Sequence, residues 1–336
     1  MSDAAVLLCG HGSRDIEAIR EFETLAAAMR ARLPGRLVDH GFLEFARPTI
    51  GEVLERLRAE GAREIHALPG MLFAAGHAKN DIPSVLNDFA ARHPDVTIRY
   101  GRELAIDPLM LKAARERIEL AERTASSRVP REESLLLVVG RGTTDPDANS
   151  NVAKVARLLA EGMGYGWGET AFSSVAHPRT DAAIERALRL GFKRIVVFPY
   201  FLFTGVLVKR IYAAADEAMR AQSQVEIVKA PYLNDHPLVV CAFHDRLDEI
   251  IRGANLMNCQ MCKYRVQIIG YENDLGAPQT GHHHHVEGIG TDADHESAPH
   301  HHHHGDHHHN DHGDDHQAHH HHEHAAPRTT ARRRSD

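Results

Sequence analysis

Leu8-Cys9-Gly10-His11-Gly12-Ser13-Arg14-Asp15, near the start of the chain, returns about 130 residues later as Val138-Val139-Gly140-Arg141-Gly142-Thr143-Thr144-Asp145. The recurrence extends outward from this stretch. Phe42 through Pro48 returns as Phe172 through Pro178, Leu68-Pro69 as Phe198-Pro199, and Gly76-His77 as Gly205-Val206. Scaffold positions are kept in both copies: the Gly-x-Gly turn, the proline after a strand, the apolar strand ending in proline. The reactive positions are not. His11 becomes Arg141, His77 becomes Val206 and Glu44 becomes Ser174. A duplicated fold that keeps two histidines and a carboxylate in one copy points to a single active site.

Between these landmarks, short apolar runs alternate with helical patterns. Ala4–Cys9, Leu37–Leu43, Glu64–Leu68 and Val96–Tyr100 read as strands, with Leu135–Val139, Thr170–Val175, Arg194–Phe198 and Val225–Lys229 as their counterparts. Ile16–Arg32, Thr49–Glu60 and Asp107–Arg123 carry apolar residues at helical spacing. Such alternation predicts an α/β fold of two tandem, similar domains. Each is a parallel sheet built from right-handed βαβ units with helices on both faces. Ligands of such sheets bind beyond the carboxyl ends of the strands. His11 follows the first strand, Glu44 the second and His77 the third, so all three belong to one rim. The expected organisation is a first domain over 1–125, a linker over 126–133 and a second domain over 134–252. A cysteine-containing segment over 253–276 and a low-complexity tail over 277–336 follow.

Composition sets the remaining bounds. The 336 residues carry a formal charge of −7, but much of the acid sits among the histidines of the tail, so the charge says little about the folded part. Four cysteines, Cys9, Cys241, Cys259 and Cys262, are too few and too unevenly placed for a disulfide scaffold and suit a reducing compartment. Cys9 and Cys241 are expected in the core. No basic-then-apolar leader and no run of 18 apolar residues is present, so a cytoplasmic protein with no membrane partner is expected. The Gly10-His11-Gly12 turn lacks the third glycine and acidic partner of a dinucleotide fingerprint, so no nucleotide is expected. Neither is a nucleic-acid partner.

Taken alone, His11 is equally readable as a turn residue that bonds locally, and Glu44 as a solvated acid at a strand end. Their loss from the second copy, together with that of His77, favours chemistry. The residues that carry a wider resemblance are the Leu8–Asp15 start, Phe42-Leu43-Glu44 with Arg47-Pro48, and Leu68-Pro69-Gly70-Met71-Leu72-Phe73-Ala74-Ala75-Gly76-His77. With the tandem halves, Met257-Asn258-Cys259-Gln260-Met261-Cys262 and the histidine-rich tail, the chain resembles the class II tetrapyrrole chelatases, in their long sirohydrochlorin cobaltochelatase form.

That resemblance implies chelatase-like, flavodoxin-related domains flanking a cleft, and ATP-independent insertion of Co2+ into sirohydrochlorin with release of two protons, in cobalamin biosynthesis. It carries the metal-binding and catalytic roles to His11 and His77 and the acidic role to Glu44. Neutral imidazole both ligates a borderline divalent ion and accepts a proton near pH 7. Ser13 and Arg14 are expected to contact the substrate carboxylates. Arg47, Lys79, Arg141, Thr143 and Thr144 flank the same rims. Two alternatives stay open: a sirohydrochlorin ferrochelatase of siroheme synthesis, and a cobalt or nickel metallochaperone that merely presents the tail.

The resemblance further associates Cys259 and Cys262 with an iron–sulfur cluster. Such clusters usually need four thiolates, so a homodimer pairing two such segments would complete it; a structural zinc or a redox pair is the alternative. Twenty of the 28 histidines fall between His282 and His324. The longest runs are His282, His283, His284, His285; His300, His301, His302, His303, His304; His307, His308, His309; and His319, His320, His321, His322. Broken by Asp, Glu, Gly and Asn, they read as a metal store that cannot form a packed core.

Overall fold

The computed structural model describes residues 4–222 and 224–257. Cys259, Cys262 and the histidine runs lie outside the described residues. The first half runs β1 (Ala4–Gly10), α1 (Ile16–Arg32), β2 (Val38–Phe42), α2 (Ile50–Ala59), β3 (Glu64–Pro69), a π-helical turn (His77–Asp81), α3 (Ile82–Arg92), β4 (Thr97–Tyr100) and α4 (Pro108–Thr124). The second runs β5 (Ser134–Gly140), α5 (Pro146–Met163), β6 (Trp167–Phe172), α6 (Thr180–Leu188), β7 (Arg194–Pro199), α7 (Val206–Ala221), β8 (Glu226–Lys229) and α8 (Pro237–Ile251). Each half is a four-stranded, all-parallel sheet, in orders β2-β1-β3-β4 and β6-β5-β7-β8. The order reverses between β1 and β3, which opens a crevice beyond Gly10 and Pro69. His11 and the loop to His77 leave the sheet there.

Strand periodicity sorts the core. Along β1, Val6 and Leu8 face one way and Ala5, Leu7 and Cys9 the other, all fully buried. Leu136 and Val138 of β5 repeat the first set, and Leu135, Leu137 and Val139 the second. The outward sets form separate clusters under α2 and α3 in one half and under α6 and α7 in the other. The inward sets merge into a single core that joins both halves through α1, α4, α5 and α8.

That shared core comes with an exchange of the last helices. Although α8 ends the second half, it packs beside β3 of the first. Ile250 fills the space above Gly101, where a Cβ would lie 2.6 Å from its Cδ1. Arg246, buried, donates to the Leu104 carbonyl and to Asp107 at 2.7 and 2.8 Å, and the Met257 N–H donates to Tyr100 at 2.7 Å. In mirror fashion α4 reaches β8 and α5, and Arg117 donates to the Leu233 carbonyl at 2.8 Å. The sequence-ordered division into domains thus describes the duplication, whereas the packing interlocks the halves.

Two mirrored lysines, each paired with two carboxylates, close the rim. Lys79 lies 2.7 and 3.0 Å from Asp145 and Asp147, and Lys209 lies 2.8 Å from both Asp15 and Glu17. In each case a lysine from one half sits on the N-cap and first-turn acids of a helix in the other, where those carboxylates already complement the helix dipole.

Two expectations change. The sixth strand occupies Trp167–Phe172 rather than Thr170–Val175, because pairing with β5 ends at Gly140–Phe172 and the following residues turn onto the rim. Cys241 is half-buried rather than core, since its sulfur accepts from Arg32 Nη1 at 3.2 Å. Cys9 is buried as expected, and burial pushes its thiol pKa upward, which keeps it an unreactive thiol. None of the described helices is long and apolar enough to cross a membrane.

Candidate active site

The turn after β1 and the loop after β2 are bonded together. The Leu43 N–H donates to the Gly10 carbonyl at 2.9 Å, and the Glu44 N–H to the His11 carbonyl at 3.0 Å. Gly12 makes this approach feasible. Its φ is +95°, and a Cβ there would sit 1.6 Å from the Glu44 carbonyl oxygen. The backbone pairing sets His11 and Glu44 side by side, with His11 Nε2 3.3 Å from Glu44 Oε1. The His77 ring meets the His11 ring edge to face at a centroid distance of 4.3 Å. One ligand atom from each of His11, Glu44 and His77 lies within 4.8 Å of the others. The structure therefore brings together the three residues singled out from the one-sided repeat.

Hydrogen bonding sets both imidazoles alike. His11 Nδ1 is 2.9 Å from the Gly12 carbonyl, which can only accept, so this nitrogen carries the proton and Nε2 keeps a lone pair in the neutral ring. His77 Nδ1 is 2.7 Å from Asp81 Oδ2. A carboxylate accepting from Nδ1 likewise leaves Nε2 as the donor atom toward a metal, an arrangement typical of ligating histidines. Asp81 is 2% exposed and is itself held by Asn80 Nδ2 at 2.7 Å.

Asp81 escaped the sequence reading. Its signal was present as the His-x-x-x-Asp spacing of His77 and Asp81, obscured because the segment is a π-helical turn. The comparison between halves shows why the turn exists. Lys79 N–H donates to Ala75 just as Lys209 N–H donates to Gly205, so these positions correspond. Ile82 and Ile211, both fully buried, also correspond, yet one residue fewer separates Lys209 from Ile211. The first half absorbs its additional residue in the π turn, a device common at functional sites. Neither Val206, which opens α7 as His77 opens the π turn, nor Leu207, which matches it by the lysine register, carries an imidazole. Asp81→Asn is expected to cut metal affinity at the cluster and insertion activity by about tenfold to a hundredfold, the usual effect of losing a carboxylate behind a ligating histidine. Thermal unfolding and a metal titration distinguish this from simple destabilisation.

Burial of Glu44, 3% exposed, pushes its carboxyl above the usual carboxylate range, and nearby Asp81 pushes it further. His77, Arg141 and Arg14 pull it back. The rest of the rim is cationic and aromatic. Arg14, exposed, lies 5.1 Å from the Phe45 ring centroid, and Phe45 adopts a left-handed φ of 61° beside His11. For a bulky residue that conformation costs of order 1–3 kcal/mol and is typical of functional sites. The Ser13 hydroxyl accepts from the Asp15 N–H at 3.0 Å, which makes it a turn former as well as a rim group. Arg47 pairs with Glu52 at 3.1 Å, and Lys79 is engaged by the opposite half. Thr143 shapes its own turn through Asn149, and Thr144 is exposed. Arg141 crosses the cleft and places Nη2 3.4 Å from His11 Nε2. Protein on several sides lowers its pKa, but its surface still meets water, so the guanidinium remains charged.

Comparison with known proteins places this arrangement. The family model described as CbiX matches the chain twice, over residues 5–121 and 135–250. A sirohydrochlorin cobaltochelatase of Priestia megaterium is 37% identical over 267 residues, covering 79% of this chain and 86% of that protein. A sirohydrochlorin ferrochelatase of Bacillus subtilis is 30% identical over 245 residues, covering 73% of this chain and 91% of the relative. Among solved structures, SirB from Bacillus subtilis with Fe3+ superposes with a TM-score of 0.65 at 30% identity, covering 76% of this chain and 99% of that one.

Proposed function

The chain belongs to the CbiX family, and from that premise we propose that it inserts Co2+ into sirohydrochlorin at the His11–Glu44–His77 cluster. The observation that carries the reading is the cluster itself: two like-oriented imidazole nitrogens and a buried carboxylate converge at the rim of one half only. Its relatives are sirohydrochlorin chelatases, and this chain is a metal chelatase of the same lyase type. The choice of cobalt rests on the greater identity to the cobaltochelatase, 37% against 30% for the ferrochelatase. Imidazole suits either ion, and the affinity order alone does not select one.

The chemistry follows from the donor set. Co2+ is a substrate, held through His11 Nε2, His77 Nε2 and a Glu44 oxygen while the tetrapyrrole settles in the cleft. As the pyrrole nitrogens take over the ion, two N–H protons must leave, so the ring loses two positive charges and gains two. The nitrogens and carboxylate released from the metal are the nearest bases to receive those protons. Arg14 and Ser13, at the open rim, suit the substrate carboxylates. The histidine runs of the tail are proposed to hold metal for delivery to the cleft.

The discriminating experiment is anaerobic insertion into sirohydrochlorin with Co2+, Fe2+ and Ni2+ in competition, followed by absorbance. Preferential formation of the cobalt product is expected, and preferential iron insertion would move the chain to siroheme synthesis. Glu44 gives the reaction a pH signature. Its folded pKa is raised, so the carboxylate needed for metal and proton is lost at a higher pH than in a solvent-exposed acid. The sign for stability is opposite: burial favours the neutral acid, so its contribution is present below the unfolded pKa and lost as pH rises through the folded one. Insertion should therefore fall as pH drops through the raised Glu44 pKa. Glu44→Gln should leave a shallower acid limb. A wild-type profile superimposable on that of the variant would remove Glu44 from the proton transfer.

A further inference from the structure

The repeat sets equivalent turn positions against each other across the cleft, and they are chemically opposed. His11 and Arg141 are the middle residues of Gly10-His11-Gly12 and Gly140-Arg141-Gly142. The Arg141 guanidinium lies 3.4 Å from His11 Nε2, the nitrogen whose lone pair the Gly12 hydrogen bond reserves for a metal. A fixed positive charge at that distance opposes a divalent cation on the same nitrogen. The contact is nonetheless weak, because it lies at the outer limit of a hydrogen bond and Arg141 is solvent-exposed. A carboxylate offers the guanidinium a far better partner, with two parallel charge-assisted hydrogen bonds.

We propose that Arg141 is an internal stand-in cation, resting against the His11 ligand nitrogen until a tetrapyrrole carboxylate draws it away. Binding of the organic substrate thereby raises metal affinity at the His11–Glu44–His77 cluster. This deepens the proposed function and rests on it. The second half is then an active part of the site. The position that holds a ligand in one copy supplies in the other the charge that withholds that ligand until the tetrapyrrole binds. Metal captured before the tetrapyrrole would have to leave the cleft or obstruct it, and the coupling suppresses that state. Because coupling is reciprocal, metal at the cluster also tightens tetrapyrrole binding.

The test is a Co2+ titration of the full chain without tetrapyrrole. Each titration is corrected by the same chain carrying His11→Ala and His77→Ala, so that other metal-binding histidines cancel. Arg141→Gln should bind Co2+ at the cluster about tenfold tighter than wild type, within the usual range of coupling between sites. Arg141→Lys, which keeps the charge, should stay near wild type. In metal-free titrations followed by tetrapyrrole fluorescence, Arg141→Gln should bind sirohydrochlorin more weakly. Unchanged Co2+ affinity in Arg141→Gln, an equal gain in Arg141→Lys, or undiminished sirohydrochlorin affinity overturns the coupling. A chain that shows this Arg141 dependence yet inserts no cobalt overturns the proposed reaction and leaves the coupling standing. A difference titration with no Co2+ at the cluster overturns both.

Discussion

His11→Ala is expected to lower kcat/KM for metal insertion by about a hundredfold or more, from the combined loss of a metal ligand and a general base. Stability should barely change. The side chain is 24% exposed, and its Nδ1 bond goes to the carbonyl of the next residue rather than to another element. Its ring contacts go to Phe45 and His77 and its Nε2 to Glu44, all of them site residues and not the apolar core, so a thermal midpoint close to wild type should accompany the kinetic defect. The same substitution separates the chemical reading from the bland one, in which His11 only braces a turn. A bracing residue would lower stability and leave insertion of the remaining folded protein intact. His77→Ala should behave likewise, except that it also removes the imidazole 2.7 Å from Asp81, a carboxylate 2% exposed that keeps its bond from Asn80. Removing one partner of a buried carboxylate is costly, so that variant should lose both activity and some stability. If His11→Ala inserts metal at the wild-type rate, the cluster is not where the ion is held.

The fold was legible because both periodicities are unusually clean. Strands such as Ala4–Gly10 and Ser134–Gly140 are buried on both faces and read as unbroken apolar runs, which is what a covered parallel sheet requires. The asymmetry of the repeat located His11, Glu44 and His77, since a duplication carries its own control: whatever the scaffold needs is kept twice. What the sequence hid was relational. The exchange of α4 and α8 leaves no periodic trace, because a helix shows the same apolar face whichever sheet it covers. Asp81 was hidden by the π turn, which puts its register off the ordinary helical pattern. Arg141 was visible as a substitution for His11, but its proximity to that residue depends on how the halves face each other. The mirrored pairs of Lys79 with Asp145 and Lys209 with Asp15 were hidden for the same reason.

The two Gly-x-Gly turns look equivalent in sequence, and substitution should show that they are not. At Gly12, φ is +95° and an added Cβ would lie 1.6 Å from the Glu44 carbonyl oxygen, a rigid backbone atom. At Gly142, φ is +83°, but the nearest atoms, the Ala176 nitrogen and Phe172 Cβ, lie 3.1 Å away. Both alanine variants incur the left-handed backbone penalty of roughly 1–2 kcal/mol. Only Gly12→Ala must also push the Glu44 loop away. That shift breaks the 3.0 Å bond from the Glu44 N–H to the His11 carbonyl, which sets the carboxylate beside the imidazole. A displacement of about 1 Å at a reacting centre costs on the order of a hundredfold in rate. Gly12→Ala is therefore expected to lose several kcal/mol of stability, of the order found for strained backbone and overpacked sites, and about a hundredfold of insertion activity in whatever remains folded. Gly142→Ala should lose about 1–2 kcal/mol and keep most of its activity. Urea unfolding and single-turnover insertion at a temperature where both variants are folded provide the comparison. Equal losses at the two positions would mean that the close approach at Gly12 does not build the site.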